Sequence, residues 1–399
     1  MQQVASNAVR ARMWFPVHIG SWVFLLSAAL IVYVIAGHPL LLKVLAARFG
    51  RLPQKRYETK PVSMLIAVFN GEKFIAEKLD SVVALDYPKE LLQVIVLSDG
   101  STDGTARIAA QYADRGIQVV ELPRGGKPAA INAGMKLATG DILVLTDARQ
   151  TLEPDSLREM VACFADPAIG VVSGDLPMRK GGDSEESNTS LYWRYERAIR
   201  KDLGKLGSTF GATGPFYAIR RSMARPMPAD TLLDDMFLPL GPFFQGYRVI
   251  VDEQARALEY PFSVKSEFTR KIRTQAGIYQ TVMRCPALLT PKNRLLFHFV
   301  SYKLGRLALP WLFLVLLASS FWLPPPFAAV AVVAQAVFYL AALLDFWLPE
   351  GVSIKRITAP ARIVVVMLAA AGAAVAVFFV PPHKLWKVTE ARHRGRPAA

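Results

Sequence analysis

Three long stretches of the sequence contain no Asp, Glu, Lys or Arg, and they restrict the fold more than any other feature. They cover residues 13–42, 307–344 and 363–382. Because about 20 apolar helical residues cross the hydrocarbon core of a bilayer, the first and last stretches each predict one membrane span. The middle stretch is longer and is broken by three prolines at 324–326, so it predicts a hairpin of two spans. Four buried core helices are the alternative, which uncharged runs of this length disfavour.

The first apolar stretch predicts an uncleaved anchor. It is too long for the apolar region of a signal peptide, and no convincing small-residue cleavage site follows it. The predicted organisation is an N-terminal transmembrane anchor (1–45), a polar domain (61–280), interfacial amphipathic helices (281–306), about three transmembrane segments (307–382) and a basic tail (383–399).

The net charge of +15 is concentrated beside the apolar stretches. Positively charged residues near span ends stay in the cytoplasm, so we expect an integral protein of the cytoplasmic (inner) membrane with its polar domain facing inward. Nucleic-acid binding would also explain the charge, but the sequence has no nucleic-acid motif; the predicted partners therefore include membrane lipids and no nucleic acid. The basic residues flanking the spans are Lys43, Arg48, Arg51, Lys55, Arg56, Lys60, Arg284, Lys292, Arg294, Lys303 and Arg306.

The basic C-terminal tail conflicts with a simple count of four spans. Four crossings would put residues 383–399 outside, yet the tail contains five Lys and Arg residues: Lys384, Lys387, Arg392, Arg394 and Arg396. Either the last apolar stretch is re-entrant, or one span of the hairpin is not a full crossing. The sequence leaves both alternatives open.

The distribution of Cys and His excludes several kinds of site in the polar domain. The two cysteines, Cys163 and Cys285, indicate a reducing compartment without a disulfide framework. The five histidines, at positions 18, 38, 298, 383 and 393, all lie outside the polar domain. The domain itself therefore cannot supply a histidine base, a Ser-His-Asp triad or a His-rich zinc site.

Apolar runs and helical segments alternate in the polar domain. Strands are predicted at 61–68, 92–97, 118–122 and 142–146, with helices starting near Glu72, at Thr102 or Asp103, and at Lys127. This alternation predicts an α/β fold with a mostly parallel sheet and helices on both faces. No G-x-G-x-x-G or G-x-x-x-x-G-K-[ST] pattern is present, which disfavours dinucleotide-binding and P-loop folds.

Polar side chains follow three of these strands. Asn70, Asp99 and Asp147 stand at the carboxyl ends of the first, second and fourth predicted strands, where open α/β sheets bind ligands. Each could instead be a helix cap or a turn former, the common role of Asn and Asp at such positions. Polar residues at three of the four strand ends favour a binding site.

At these residues the sequence resembles the family 2 glycosyltransferases over roughly residues 60–285. The resemblance lies in ordered motifs, of which SDGSTDGT at 98–105 is the most specific. The others are SMLIAVFNGEKFI at 63–75, Gly126-Lys127 with Asn132, LTDAR at 145–149 in the place of D-x-D, GATGPFYAIRR at 211–221, TLLDDMFL at 231–238 and RKIRTQAG at 270–277 in the place of Q-x-x-R-W.

The resemblance implies a GT-A fold, with transmembrane and interfacial helices added, and an inverting sugar transfer from a UDP- or GDP-linked donor. It implies Asp235 as the catalytic base with Asp234 beside it, and Asp147 as the ligand of Mg²⁺ or Mn²⁺. The implied nucleotide- and donor-binding residues are Ala67, Phe69, Asn70, Glu72, Asp99, Lys127, Asn132, Asp147, Arg270 and Arg273.

Two departures from the family pattern affect these expectations. Arg149 replaces the second aspartate of D-x-D, which leaves Asp147 alone to meet a metal there. The tryptophan of Q-x-x-R-W is absent, and in processive members it helps to hold the polymer. Its loss favours transfer of a single sugar, to a lipid-linked or glycan acceptor. The alternatives are a processive polysaccharide synthase and a non-catalytic membrane scaffold that keeps the fold.

Individual residues also have structural alternatives. Lys127 and Arg273 could be solvated surface cations, or Arg273 a lipid head-group contact. Asp234 and Asp235 stand at a predicted helix start, where carboxylates serve as caps. Trp193, on a predicted helix at 191–201, could stack on a sugar or belong to the core or the membrane interface.

Overall fold

The computed structural model describes residues 19–178, 185–259, 264–349 and 352–385. Most of the predicted basic tail, and residues 13–18 of the first apolar stretch, lie outside these ranges.

One mixed sheet of eight strands forms the centre of the polar domain, in the order β3-β2-β1-β4-β7-β6-β8-β5. The first four positions are parallel, as are β6 and β8, whereas β7 runs antiparallel to both its neighbours and β5 to β8. This confirms the α/β fold class, with the antiparallel pairs confined to the half beyond β4. The strands are β1 (Val62–Val68), β2 (Leu92–Asp99), β3 (Ile117–Leu122), β4 (Ile142–Asp147), β5 (Thr151–Leu152), β6 (Ile169–Asp175), β7 (Phe216–Arg220) and β8 (Arg248–Leu258).

Helices surround the sheet and extend away from it. Those of the polar domain are α2 (Glu72–Val83), α3 (Thr105–Ala110), α4 (Lys127–Leu137), α5 (Ser156–Ala162), α6 (Glu185–Leu206), α7 (Asp234–Phe244) and α8 (Val264–Arg284). The long apolar helices are α1 (Ile19–Phe49), α9 (Leu296–Ser320), α10 (Phe327–Leu344) and α11 (Lys355–Phe378). A final turn, α12, covers Pro382–Leu385.

One helix start and one helix length differ from the predictions. α3 begins at Thr105, two or three residues later than predicted, because the carboxylate of Asp103 accepts the backbone N–H of Thr105 at 3.1 Å and so precedes the helix. α6 extends well beyond the predicted segment at 191–201 in both directions.

The two faces of the sheet carry two separate cores because side chains alternate along a strand. Met64 and Ile66 of β1 pack on one face with α2, α3 and α5. Leu65 packs on the other face with α4, α6 and α7. This second core also contains Leu42 of α1 and Phe299 of α9. The apolar helices α1 and α9 therefore dock on the face that carries α4 and α7.

Four of the described helices, α1, α9, α10 and α11, are long and apolar enough to cross a membrane. The break between α9 and α10 falls around the three prolines at 324–326. Many of their large apolar side chains are exposed in the isolated chain, as expected of lipid-facing surfaces.

Several basic residues of the segment at 281–306 contact protein groups. Arg284 pairs with Asp230 at 2.6 Å, Arg294 donates to the backbone carbonyls of Phe243 and Tyr247, and Arg306 pairs with Glu196. These three arginines thus make hydrogen bonds or ion pairs within the protein, and contact of the flanking basic residues with lipid head groups stays a prediction.

Candidate active site

A cleft of about 290 Å³ opens at the carboxyl ends of the strands, between the sheet, α6, α8 and α9. Six of the predicted site residues line it: Lys127, Asp147, Asp234, Asp235, Arg270 and Arg273. Residues from four different elements meet here, separated by up to 146 positions in sequence. The cleft is the candidate active site.

Lys127 lies at the centre of the acidic end of this cleft. It is the first residue of α4, after Gly126, whose φ of 86° favours glycine. Its ammonium lies 2.8 Å from Asp147 Oδ1 and 3.3 Å from Asp234 Oδ2. Although burial raises the pKa of Asp147, Lys127 and then Arg149 outweigh it and the pKa is lowered. The single positive charge of Lys127 thus pairs with two carboxylates that come from different elements.

Asp234 and Asp235 open α7 in different surroundings. Asp234 is 4% exposed and accepts the hydroxyl of Tyr217 at 3.2 Å. Burial and then the charge of Asp234 raise the pKa of Asp235 to about 6. A Cβ at Gly214 would lie 2.8 Å from Asp235 Oδ2, so the carboxylate of Asp235 sits directly against the turn before β7.

Arg270 and Arg273 come from α8, at the wall of the cleft. The guanidinium of Arg270 lies over the ring of Trp193, 5.0 Å from its centroid. Burial, followed by the charge of Arg270, lowers the pKa of Arg273. Trp193 therefore stands in the cleft wall beneath a cation, and stacking of a sugar on its ring stays a prediction.

A second cluster of predicted residues lies beside the cleft and organises loops. Asp99 accepts the backbone N–H groups of Gly125 at 2.7 Å and Gly126 at 3.0 Å and pairs with Arg124. Arg124 lies over the ring of Phe69 at 3.7 Å. These contacts fix the turn that presents Lys127, and binding of a base or ribose by Asp99 stays a prediction.

Asn70 and Glu72 join the turns that follow β1 and β2. The side chain of Asn70, itself at a φ of 49°, accepts the N–H of Thr102 at 2.8 Å. Glu72 accepts the N–H of Gly104 at 3.1 Å. Ala67 is the β1 residue in register with Asp147 on β4, so it separates the two clusters.

Asn132 is another predicted site residue that does not line the cleft. Its amide donates to the carbonyl of Met227 at 2.7 Å and accepts the N–H of Met227 at 2.9 Å. Asn132 therefore ties α4, the helix that begins at Lys127, to the loop that leads to α7.

Apart from Trp193, sequence reasoning missed the part of the cleft that α6 and α9 supply. Glu196, Arg200, Tyr302, Lys303 and Arg306 all line it. Tyr302 donates to Glu196 and Arg306 pairs with the same carboxylate; although burial raises the pKa of Glu196, Arg306 and then Lys303 hold it at about 2. A π-helical turn at Val300–Leu304 carries Tyr302 and Lys303, and no motif in the sequence signals it.

The side chains at the acidic end of the cleft suit a metal ion whose coordination is completed by phosphate oxygens of a bound ligand. Among the described residues no group of three or more His, Cys, Asp and Glu side chains could hold a metal ion. Asp147 still offers a carboxylate that is 29% exposed toward the cleft, and Mg²⁺ commonly binds through one or two carboxylates plus substrate phosphates and water. The residues present therefore fit Mg²⁺ or Mn²⁺ held by Asp147 together with a diphosphate.

Comparisons with known proteins identify the domain around this cleft. Residues 63–226 match the model of the family described as glycosyl transferase family 2. These residues form a family 2 glycosyltransferase domain. This confirms the resemblance seen in the motifs, and the glycosyltransferase interpretation with it, and it disfavours the scaffold alternative.

Relatives of this glycosyltransferase include bacterial polysaccharide synthases. A poly-beta-1,6-N-acetyl-D-glucosamine synthase from Staphylococcus epidermidis is 22% identical over 315 residues, which are 76% of each chain. A synthase of the same name from Staphylococcus aureus (strain COL) is 23% identical over 268 residues, 65% of this chain and 64% of that protein.

The fold of the glycosyltransferase matches that of a solved enzyme. A mannosyltransferase from Pyrobaculum calidifontis, solved in complex with GDP-Man and Mn²⁺, superposes with a TM-score of 0.69 and 24% identity. The match covers 90% of this chain and 99% of that one. The GT-A fold is thereby confirmed for the polar domain.

Proposed function

We propose that the glycosyltransferase moves one sugar from a nucleotide-linked donor to a lipid-linked or other glycan acceptor, with inversion, at the cytoplasmic face of the inner membrane. The observation that supports this most is the meeting of Asp147, Asp234, Asp235 and Lys127 in one cleft whose wall continues into the apolar helix α9.

Asp235 is the proposed base. The oxygen of an acceptor hydroxyl forms a bond to the anomeric carbon as the bond from that carbon to the diphosphate breaks. The hydroxyl proton goes to Asp235, and the diphosphate leaves with the bonding electrons. A base whose pKa of about 6 is near neutral pH suits this transfer, because it is ionised at rest and still accepts a proton well.

Lys127, Arg149 and Arg273 are the proposed partners of the diphosphate. All three line the cleft beside Asp147. Guanidinium groups bind phosphate oxygens with two parallel hydrogen bonds, whereas an ammonium acts as a point charge. Mg²⁺ or Mn²⁺, when bound, would add charge stabilisation of the leaving group.

The membrane end of the cleft supports a lipid-linked acceptor. Lys303 and Arg306 belong to the first turns of α9, a helix apolar enough to cross a bilayer. An acceptor held in the bilayer by an apolar chain reaches these residues without leaving the membrane surface. The basic segments around the spans favour the cytoplasmic side for this surface.

Processive polysaccharide synthesis is the second candidate. It is favoured by the names of the two staphylococcal relatives, which make poly-beta-1,6-N-acetyl-D-glucosamine. The absence of tryptophan from the segment at 270–277 favours single transfer instead.

The test uses the full chain in lipid nanodiscs with a bacterial lipid extract. UDP- and GDP-linked sugars are supplied one at a time, and the released nucleoside diphosphate is measured. We expect release from one donor to depend on the lipid extract, with a product one sugar heavier than the acceptor by mass spectrometry. A ladder of products would establish the processive alternative, and no release from any donor would contradict both.

A further inference from the structure

A lysine that takes no part in the proposed chemistry is buried behind the acidic end of the cleft. Lys78 of α2 is 0% exposed. Its ammonium donates to Thr146 Oγ1 at 2.7 Å and to the carbonyl of Gln150 at 2.7 Å. Within the described chain, no carboxylate pairs with it. Burying an ammonium costs free energy unless hydrogen bonds or opposite charges compensate for the lost water. The hydrogen bonds of Lys78 therefore indicate what this residue does.

The two acceptors of Lys78 bracket the turn that carries Asp147 and Arg149. Thr146 is the residue before Asp147, and Gln150 is the residue after Arg149. Both acceptors are buried. One side chain therefore ties the entry of this turn to its exit, from a helix 68 positions upstream.

The same contacts continue to the proposed base. The hydroxyl of Thr146 donates to the carbonyl of Pro215 at 2.8 Å, and the N–H of Asp147 donates to that carbonyl at 3.1 Å. Pro215 follows Gly214, which lies against the carboxylate of Asp235. A chain of hydrogen bonds thus runs from Lys78 through Thr146 to the turn that supports Asp235.

The electrostatics agree with a positioning role. Burial lowers the pKa of Lys78 to about 7, and the nearby charge of Asp147 opposes this shift. The two acceptors, a hydroxyl oxygen and a carbonyl oxygen, suit an ammonium, which has three hydrogens to donate. Without Lys78, the buried carbonyl of Gln150 would lose the hydrogen bond that the ammonium donates to it, and an unpaired buried acceptor is costly.

We propose that Lys78 is a positioning residue for the diphosphate of the donor. It fixes the conformation of the turn at 147–149 and the position of that turn relative to the turn beside Asp235. The inference rests on the proposed function, since it assigns Asp147 and Arg149 to the donor's phosphates. Outer-shell groups that orient a metal ligand, as Lys78 would orient Asp147, are worth about 10–100-fold in affinity or activity, and a displacement of 1 Å at a reacting centre costs about 100-fold.

The test compares Lys78→Met with Lys89→Met in the full chain in nanodiscs. Lys89 also donates to two backbone carbonyls, those of Val83 and Leu85, but on the surface and away from the cleft. We expect Lys78→Met to weaken binding of UDP or GDP in the presence of Mn²⁺ about 10-fold or more, measured by calorimetry. Binding of uridine or guanosine, by saturation-transfer NMR, stays unchanged, and Lys89→Met matches the wild type throughout.

A second variant keeps the inference falsifiable if Lys78→Met fails to fold. Thr146→Val removes the hydroxyl that links Lys78 to Pro215 and preserves the shape of the side chain. We expect it to weaken nucleoside diphosphate binding in the same way. Where both variants fold, the double variant should lose no more than the worse single variant, because the two residues act through one network.

Two results would overturn the inference. One is a folded Lys78→Met or Thr146→Val protein that binds UDP or GDP as the wild type does, even if its melting temperature has fallen. The other is an equal loss of nucleoside and nucleoside diphosphate binding, which indicates general damage. Because binding is measured without turnover, a wild-type chain that transfers no sugar would contradict the proposed function and leave this measurement intact.

Discussion

Neighbouring residues acquire different properties in this cleft. Asp234 accepts a hydroxyl and lies 3.3 Å from the ammonium of Lys127, whereas Asp235 has a raised pKa and rests against a glycine. Two adjacent carboxylates at one helix start are thus separated into an ion-paired group and a candidate base.

Replacing Asp235 by Asn should remove transfer and spare donor binding. The amide keeps the shape of the side chain but cannot accept the acceptor's proton, and general base catalysis is worth about 10²–10⁴-fold. The rate of nucleoside diphosphate release measures this loss. Asp230→Asn, at a half-exposed acid that pairs with Arg284, is the control, and turnover near the wild-type rate in Asp235→Asn would refute the assignment.

The same variant should not lose stability at neutral pH. The folded pKa of Asp235, about 6, exceeds the unfolded value of about 3.9. The proton is therefore bound more tightly by the folded state, and ionisation of Asp235 opposes folding increasingly as the pH rises from about 4 to about 6. We expect Asp235→Asn to melt at or slightly above the wild-type temperature at pH 7.5. A large drop would show that lost activity reflects unfolding.

The pH dependence of transfer should show an acid limb with an apparent pKa near 6. Below that pH Asp235 is protonated and has no capacity to accept a proton, so the rate falls as the pH falls. Initial rates between pH 5 and 8 give the limb. In Asp234→Asn the limb should move to lower pH, because the neighbouring negative charge that raises this pKa has been removed; an unmoved limb would argue against Asp235.

At the scale of elements, α4 sets the position of Lys127. The helix packs on β1 and β2 through Gly134, where a Cβ would lie 2.6 Å from Leu97 and 2.9 Å from Leu65. Asn132, on the same helix, is bonded to the backbone of Met227. Close packing on one side and a polar tie on the other hold the first turn of α4 against β4 and α7.

Gly134→Ala should therefore destabilise the protein and displace Lys127. Overpacking a tight contact costs about 1–3 kcal/mol, and we expect a lower melting temperature together with weaker nucleoside diphosphate binding. Gly372→Ala is the matched control, because a Cβ at Gly372 meets nothing within 4 Å and alanine favours a helix. Equal melting temperatures for the two variants would show that α4 can shift without cost.

At the scale of the whole molecule, the apolar helices and the polar domain form one packed unit. Leu42 of α1 is 0% exposed and belongs to the core that contains Leu65 of β1 and Phe210 near the cleft. Tyr195 of α6 donates to the carbonyl of Ile35 at 2.8 Å. α1 is therefore a structural part of the domain as well as a candidate membrane span.

Truncation of Leu42, a residue that does not line the cleft, should reduce the rate of sugar transfer. Leu42→Ala leaves a cavity between α1 and α6, and such changes cost about 2–5 kcal/mol. We expect a lower melting temperature and reduced transfer in nanodiscs. Leu40→Ala, at a position on the same helix that is 65% exposed, should behave as the wild type; if both variants do so, α1 is only an anchor.

Local patterns predicted much of this protein. The period and length of the apolar runs indicated the helices that can cross a membrane, and the alternation of strands and helices indicated the α/β domain. Polar residues at strand ends, such as Asp99 and Asp147, were predicted to lie at one edge of the sheet, because parallel strands bring their carboxyl ends together. Each of these features depends on a short stretch of consecutive residues, so the sequence alone is enough to predict it.

Only the tertiary structure decided which groups meet. Lys127 could be solvated or paired, and its two carboxylates come from β4 and α7, far apart in the chain. Lys303 and Arg306 were counted among the basic residues that flank the spans, yet α9 places both in the lining of the cleft. No sequence pattern singled out Lys78, because its partners are a hydroxyl and a backbone carbonyl. Contacts between distant segments depend on packing of whole elements, which no local pattern of residue types specifies.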